Sequence, residues 1–320
     1  MYLSEVVGKG NIRARVVEKS VLKGFEDTPL ITFELRYPRL IHAELMTHRV
    51  FSRNASSSRA IPVETIMKQI EEQPAMPIHW GMNKAGMQAA EEWDFDDGGE
   101  WNPQYEWRAA AKSAVVHGRQ MSEMGIHKQV ANRICEPFQF INVVVTSTEW
   151  SNWYALRDHK DAQPEIAELA RMMIQANEQA EPTILQDEHW HLPYITEVDY
   201  QSSVEMEDLV KASAARCARV SYMKHDKSSP SIEDDLMLYN MLAVRPFDSG
   251  NGHILGVDDP VHLSPLEHQA TVNSVGCVSS MDMPWPEGYT HMDRDRRLWS
   301  GNFRSPWIQY RQIFWQNNGD

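Results

Sequence analysis

The chain has 320 residues, 42% hydrophobic and 24% charged, enough for one large domain or two ordinary ones. Its net charge of -14 leaves no basic field over the molecule. That excludes general nucleic-acid binding and adhesion to an anionic membrane surface. Cys135, Cys217 and Cys277 stand far apart, as in a reducing compartment rather than a disulfide scaffold. The first residues hold no apolar h-region and no apolar run reaches membrane length, so the expectation is a cytoplasmic protein (host cytoplasm if virus-encoded).

In chain order, residues 13–18 and 31–37 alternate β-branched and polar side chains and read as strands. Pro38 opens a helix over 39–48. A basic island, 42–60, follows with three Arg against one Glu and a run of serines. Residues 74–103 hold Pro74 and Pro77, an acidic run and Gly98-Gly99, and read as a surface insertion, part of it helical. Apolar residues at helical spacing over 105–124 stop at Gly125, a C-cap signal. Residues 138–146 form the strongest strand pattern. Helices are expected over 149–156, 165–177, 207–220 and 232–242, then a Gly/Pro-rich stretch with short strands or loops, including a turn at Gly250-Asn251-Gly252. Helices and strands mix without regular βαβ alternation, so the fold class is α+β, a mixed sheet with packed helices in a single domain, 1–320.

The segment Thr47 to Arg59 packs His48, Arg49, Arg53 and Arg59 among four serines and Asn54. Guanidinium forks and hydroxyls match phosphate or carboxylate oxygens; the bland alternative is a solvated loop. The register decides between them. His48-Arg49, seven residues, Ser57, then Arg59, with Asn54 midway, resembles the signature of flavin-dependent thymidylate synthases. Gln129-Val130-Ala131 leading to Arg133 is similar to that family's phosphate-contacting stretch, with Asn132 as an extra residue. Asn152 to Arg157, then Ala162-Gln163 and Glu165-Ile166, resembles its next helix pair. Two further elements, Ala218 to Tyr222 and His262 to His268, resemble family elements that normally stand near the N-terminus. Their position here implies a circularly permuted, bacteriophage-type member.

The resemblance implies a homotetramer with FAD where subunits meet, and NADPH and methylenetetrahydrofolate as co-substrates. The reaction implied is reductive C5 methylation of dUMP to dTMP. By the same resemblance, Ser57, Ser58, Arg59 and Arg133 would hold the phosphate of the pyrimidine deoxynucleotide monophosphate. His48, Arg49, Asn152, Ser221, Ser264 and Glu267 would contact FAD. Arg157 and His48 would be catalytic, with Arg157 stabilising charge on the pyrimidine. Thr47 stands where the family has Arg, Ala55 where it has Glu, Ala60 where it has Tyr, Asp161 where it has His, and Glu44 where it has Gln. Glu44 could accept from an exocyclic amine, so C5 hydroxymethylation or a dCMP substrate is the alternative. A non-catalytic flavin- or nucleotide-binding homologue is the other.

Cys135 and Cys217 read as structural, since neither lies in the setting of a nucleophilic cysteine. The pairs His189/His191 and His117/His127 lack metal-ligand spacing and read as structural or surface, so no metal is expected. The Arg/aromatic segment 300–311 could stack planar ligands, but a core-edge strand is favoured.

Overall fold

Alternation of apolar and polar residues builds the first three strands: β1 (Ser4–Val7), β2 (Arg13–Leu22) and β3 (Phe25–Pro38), an antiparallel meander. Gly24, at φ +88°, supplies the left-handed backbone of the tight turn that leaves Leu22 paired with Phe25. The computed structural model describes residues 2–89, 91–95, 102–186, 189–222, 231–243, 262–272, 291–293, 298–300, 302–304 and 306–318. Cys277, the Gly250 turn and parts of the 74–103 stretch and of the 300–311 segment lie outside them.

After β3 the expected ten-residue helix is cut short. A 3-10 turn leads into α1, only His42–Leu45. Thr47 Oγ1 donates to the Glu44 carbonyl (2.7 Å), and Arg53 donates to the carbonyls of Met46 (2.9 Å) and His48 (3.3 Å). These side chains take acceptors that further helix would use. The chain then enters β4 (Ser52–Ala55), α2 (Val63–Glu72), α3 (Pro103–Glu123), α4 (Lys128–Ala131) and β5 (Phe140–Ser147). Gly125 closes α3 at φ +82° with Ile126 N bonded to the Met121 carbonyl, as its sequence signal predicts, while Asn102 caps it ahead of Pro103, two residues before the expected start. No helix interrupts the described part of 74–95. That stretch is stitched down at its start: Ala75 is fully buried and bonded to Phe138, and its carbonyl accepts from Trp107 Nε1 (2.9 Å).

The remaining elements are α5 (Ser151–Arg157), α6 (Pro164–Gln179), β6 (Thr183–Leu185), β7 (Trp190–His191), α7 (Glu197–Gln201), α8 (Met206–Tyr222), α9 (Ile232–Ala243), β8 (Ala270–Val272), β9 (His291–Asp293), β10 (Leu298–Ser300), β11 (Trp307–Gln309) and α10 (Tyr310–Asn318). The main sheet runs β1-β2-β3-β5-β4, antiparallel throughout, with β6 added parallel to β2. A second sheet runs β11-β8-β7. The fold is mixed α+β. Helix α10 was not legible in its sequence.

One face of the main sheet packs Val16, Phe33, Leu35, Val143 and Val145 against Ile166, Leu169 and Met173 of α6, with Phe51, Trp150 and Trp153 completing the core. The other face meets α8 through Val144, Cys217 and Val220. Between the sheet and the C-terminal elements runs a buried polar chain. Ser20 meets His191 Nδ1 (2.8 Å), His191 Nε2 meets Thr32 (2.8 Å), Thr32 meets Thr146 (2.7 Å) and Thr146 meets His268 Nδ1 (2.8 Å). Burial holds both imidazoles neutral, pulled down to about 3. Helices α8 and α9 are joined by Arg216 and Arg219, which both bond the fully buried carboxylate of Asp235 (2.7 and 2.9 Å). Among the described residues no helix is long and apolar enough to cross a membrane.

Candidate functional site

The basic segment is no solvated loop. Its middle is β4, the edge strand beside β5, with Ser52 opposite Thr146 and Asn54 opposite Val144. Period-two alternation then sorts its residues. Ser52, Asn54, Ser56 and Ser58 are buried, while Arg53, Ala55, Ser57 and Arg59 are more open. Ser58, grouped in the sequence with Ser57 and Arg59, thus turns inward, and its carbonyl accepts from Asn132 Nδ2 (2.7 Å).

Three sequence-nominated residues meet at one point. Arg157, on the last turn of α5, donates from Nη1 to Glu44 Oε2 (2.9 Å) and from Nε to His48 Nε2 (3.2 Å). Its Nη2 reaches Thr47 Oγ1 (3.4 Å). The guanidinium is therefore held in plane and direction. Because His48 accepts at Nε2, its proton sits on Nδ1. Burial pulls the His48 pKa down, and the neighbouring Arg157 and Arg53 push the same way. His48 stacks on Phe51 (ring centroids 5.6 Å apart) and stands edge-on to Trp153 (4.8 Å). Met46, Val50 and Leu156, close in sequence to these residues, are exposed.

Other nominated residues stand apart from this point. Arg49 and Asn152 are exposed. Arg59 is exposed, with its backbone N–H bonded to Ser57 Oγ (3.3 Å). The α4 turn is tied to this segment through Lys128 Nζ on the Ala60 carbonyl (2.9 Å) and Asn132 on the Ile61 carbonyl (3.0 Å). The Arg133 side chain itself turns to Glu136 (3.2 Å). Ser264 bonds His262 (2.9 Å), and Glu267 is ion-paired with Arg311. Ser221 ends α8, and its side chain falls outside the described residues.

The 262–268 element nonetheless lies against β4. Gln309 Nε2 donates to both Ser52 Oγ (2.7 Å) and the Glu267 carbonyl (3.0 Å). Gln309 and Arg53 are the residues that sequence reasoning missed. Both sat in segments already marked as basic, but nothing in their spacing singled them out. The 300–311 segment is a core edge, as favoured: Trp307, Ile308 and Tyr310 are buried, and Arg304 pairs with Glu149 (2.6 Å). His191 belongs to the polar chain, and His127 caps α4. Burial raises the Cys135 thiol to about 11 and the Cys217 thiol further, which suits structural roles.

Residues 15–183, more than half of the chain, match the family model described as thymidylate synthase complementing protein. The chain belongs to this family. The match takes in β2 to β5 and the whole Glu44–His48–Arg157 cluster, and leaves 262–268 outside. No curated protein matches the chain. Solved structures similar to it include two of the UMP/dUMP methylase PolB from Streptomyces cacaoi. The one bound with 5-Br dUMP is 16% identical and covers 55% of this chain and 93% of its own, at a TM-score of 0.43. The one bound with 5-Br UMP is 16% identical and covers 53% and 89%, at 0.40.

Proposed function

We propose that the chain is a flavin-dependent thymidylate synthase-type enzyme, methylating C5 of dUMP with methylenetetrahydrofolate as carbon source and NADPH as reductant. The observation that carries this reading is the fixed Arg157 guanidinium, bonded to Glu44, Thr47 and His48. A C5 substitution puts negative charge on the pyrimidine ring. A cation whose direction is set in advance stabilises that charge without reorganising. Neutral His48 orients Arg157 rather than competing with it for the same charge.

The residues around the cluster fit a flavin nucleotide. Arg49, Asn152 and Arg59 are exposed, and their side chains make no hydrogen bond or ion pair among the described residues, so their donors are open to a ligand. Arg49, His48 and Asn152 would hold FAD together with Ser264, Glu267 and Ser221. When bound, FAD supplies the two-electron chemistry. Ser57, Ser58, Arg59 and Arg133 would bind the nucleotide phosphate, with Ser58 contributing from the inward face of its turn. A homotetramer would complete the site, and the circular permutation would place 262–268 beside β4; the Gln309 bridge supports that placement.

The test is an assay of purified protein with dUMP, the folate and NADPH, the product being identified by mass. Thymidylate is expected. A colourless protein that takes up no added FAD overturns the reading in favour of a non-catalytic homologue. A second reading, C5 hydroxymethylation or a dCMP substrate, is favoured by Glu44. Its Oε1 makes no hydrogen bond among the described residues and is free to accept from an exocyclic amine. Thymidylate from dUMP alone would remove it.

A further inference from the structure

Opposite the Arg157 side of the sheet, one row of side chains crosses four strands. Arg13 on β2 pairs with Arg36 on β3, Arg36 with Asn142 on β5, and Asn142 N bonds Ser56 Oγ (3.1 Å) just past β4. The row lies on the face opposite the α6 core, because its neighbours Leu35, Tyr37, Ile141 and Val143 all point into that core. Two arginines directly opposite each other on adjacent strands repel, and such a pair is destabilising unless something lies between or over them.

Arg13 has a carboxylate, Glu5 (3.4 Å). Arg36 has none among the described residues. Its donors go to neutral acceptors, the Asn11 carbonyl (3.1 Å) and Gln73 Oε1 (3.2 Å), and its guanidinium lies 3.6 Å over the Phe140 ring. Burial, with Arg13 adding repulsion, draws the Arg36 pKa down to about 10. A half-buried cation here faces like charge and no counter-charge.

The space beside it is a cavity of about 190 Å³ whose polar walls include Arg36, Arg39, Ser56, Ser58, Gln69 and Asn142. The side chains of Ser58, Gln69 and Asn142 donate no hydrogen bond within the described residues. Arg39 is shared with Glu136 (3.2 Å). Glu72 is the one carboxylate lining the cavity, exposed and not paired with Arg36. A second space of about 280 Å³ adjoins it across Glu72, Gln73 and Phe140 and reaches Asn11 and Arg108. Each is smaller than the roughly 300 Å³ floor of ordinary ligand pockets, and together they exceed it.

We propose that this cavity is a second anion site, in which Arg36, Arg39 and Asn142 bind a phosphate-sized oxyanion, either free phosphate or the phosphate of a small phosphomonoester whose organic part lies in the adjoining space. The oxyanion would sit over the Arg13–Arg36 pair and relieve its repulsion. It is separate from the proposed substrate phosphate site at Ser57 and Arg59, and stands whether or not that assignment does.

The test is calorimetric titration of the full chain with inorganic phosphate and, in parallel, with uridine monophosphate, at constant ionic strength and in an Arg59→Gln background. That background removes one of the four proposed substrate phosphate ligands, and the Arg36 and Asn142 variants decide whether the binding that persists belongs to this cavity. One binding event is expected to persist. Equal affinity for the two probes assigns free phosphate; tighter monophosphate assigns the phosphomonoester. Adding Arg36→Gln should weaken the event at least tenfold, and Arg36→Lys less. Asn142→Asp places a carboxylate opposite Arg36; it should abolish the event and raise the melting temperature in the absence of phosphate. No binding in the Arg59→Gln protein, or binding unchanged by Arg36→Gln or Asn142→Asp, overturns the proposal.

Discussion

Arg157 gives its donors to three residues contributed by one short stretch, and that geometry sets what substitutions should do. Arg157→Ala removes a fixed cation from the proposed reacting ring. Turnover of dUMP should fall by about 100-fold, with protein stability little changed. Arg157→Lys should not restore it, because a single ammonium cannot bond Glu44 and His48 in the fork geometry that holds the guanidinium. Steady-state kinetics on the two variants check both statements, and equal activity in Arg157→Lys would remove the orienting role. Glu44→Gln keeps an acceptor for Arg157 while deleting the charge. Under the dCMP reading it should lower turnover of dCMP relative to dUMP. These residues were legible because motif spacing does not depend on knowing the fold. Arg53 and Gln309 were not: Arg53 holds carbonyls of a local turn that spacing does not announce, and Gln309 a serine that only the tertiary structure brings near.

At the level of elements, periodicity found what packing would confirm. The strands 13–18, 31–37 and 138–146 and the helices 105–124, 165–177 and 207–220 all exist, within a few residues of their expected ends or longer. Each has an apolar face on a core. The reading failed where side chains override propensity, as in the truncated helix after Pro38. It also failed where too little pattern exists, as in α2 and α10. The α8–α9 pair rests on a different force. Asp235 is fully buried and neutralised by two arginines, and Arg216 also reaches Asp199 (2.7 Å). Asp235→Asn leaves Arg219 without its buried carboxylate and Arg216 with Asp199 alone. It should cost about 3 kcal/mol of stability in urea unfolding, whereas Glu207→Gln, on an exposed i,i+4 pair of the same helix, should cost well under 1 kcal/mol.

Across the whole molecule, the polar chain from Ser20 to His268 ties the main sheet to the C-terminal elements and makes that tie sensitive to acid. His191 and His268 titrate near 6.5 when unfolded and only near 3 when folded. Their neutral forms therefore favour the folded state fully above pH 6.5. That contribution is lost as pH falls toward about 3, by about 1.4 kcal/mol per histidine per pH unit. His268→Gln should flatten the acid limb of the stability curve relative to the parent chain. An unchanged limb would mean that His268 is charged, or already exposed, before unfolding. The same scale sets what order alone can say about permutation. The strand following 262–268 is β8, which pairs with β7 and β11, while β1 pairs with β2. The displaced order is a reading of the sequence, and the adjacency of Glu267 and Ser52 is what the fold adds to it.

One amide reinforces that adjacency beside the Thr146–His268 bond. Gln309 holds Ser52 with the same nitrogen that holds Glu267, so residues more than two hundred positions apart share one proton donor. A chain leaving the ribosome can complete β1 to β5 once residue 147 has emerged. It cannot close this bridge until residue 309 appears, many seconds later at the usual rate of synthesis. Strands β1 to β5 are thus synthesised well before the Gln309 link between Ser52 and the Glu267 carbonyl can form, a delay built into the order of the chain's own residues.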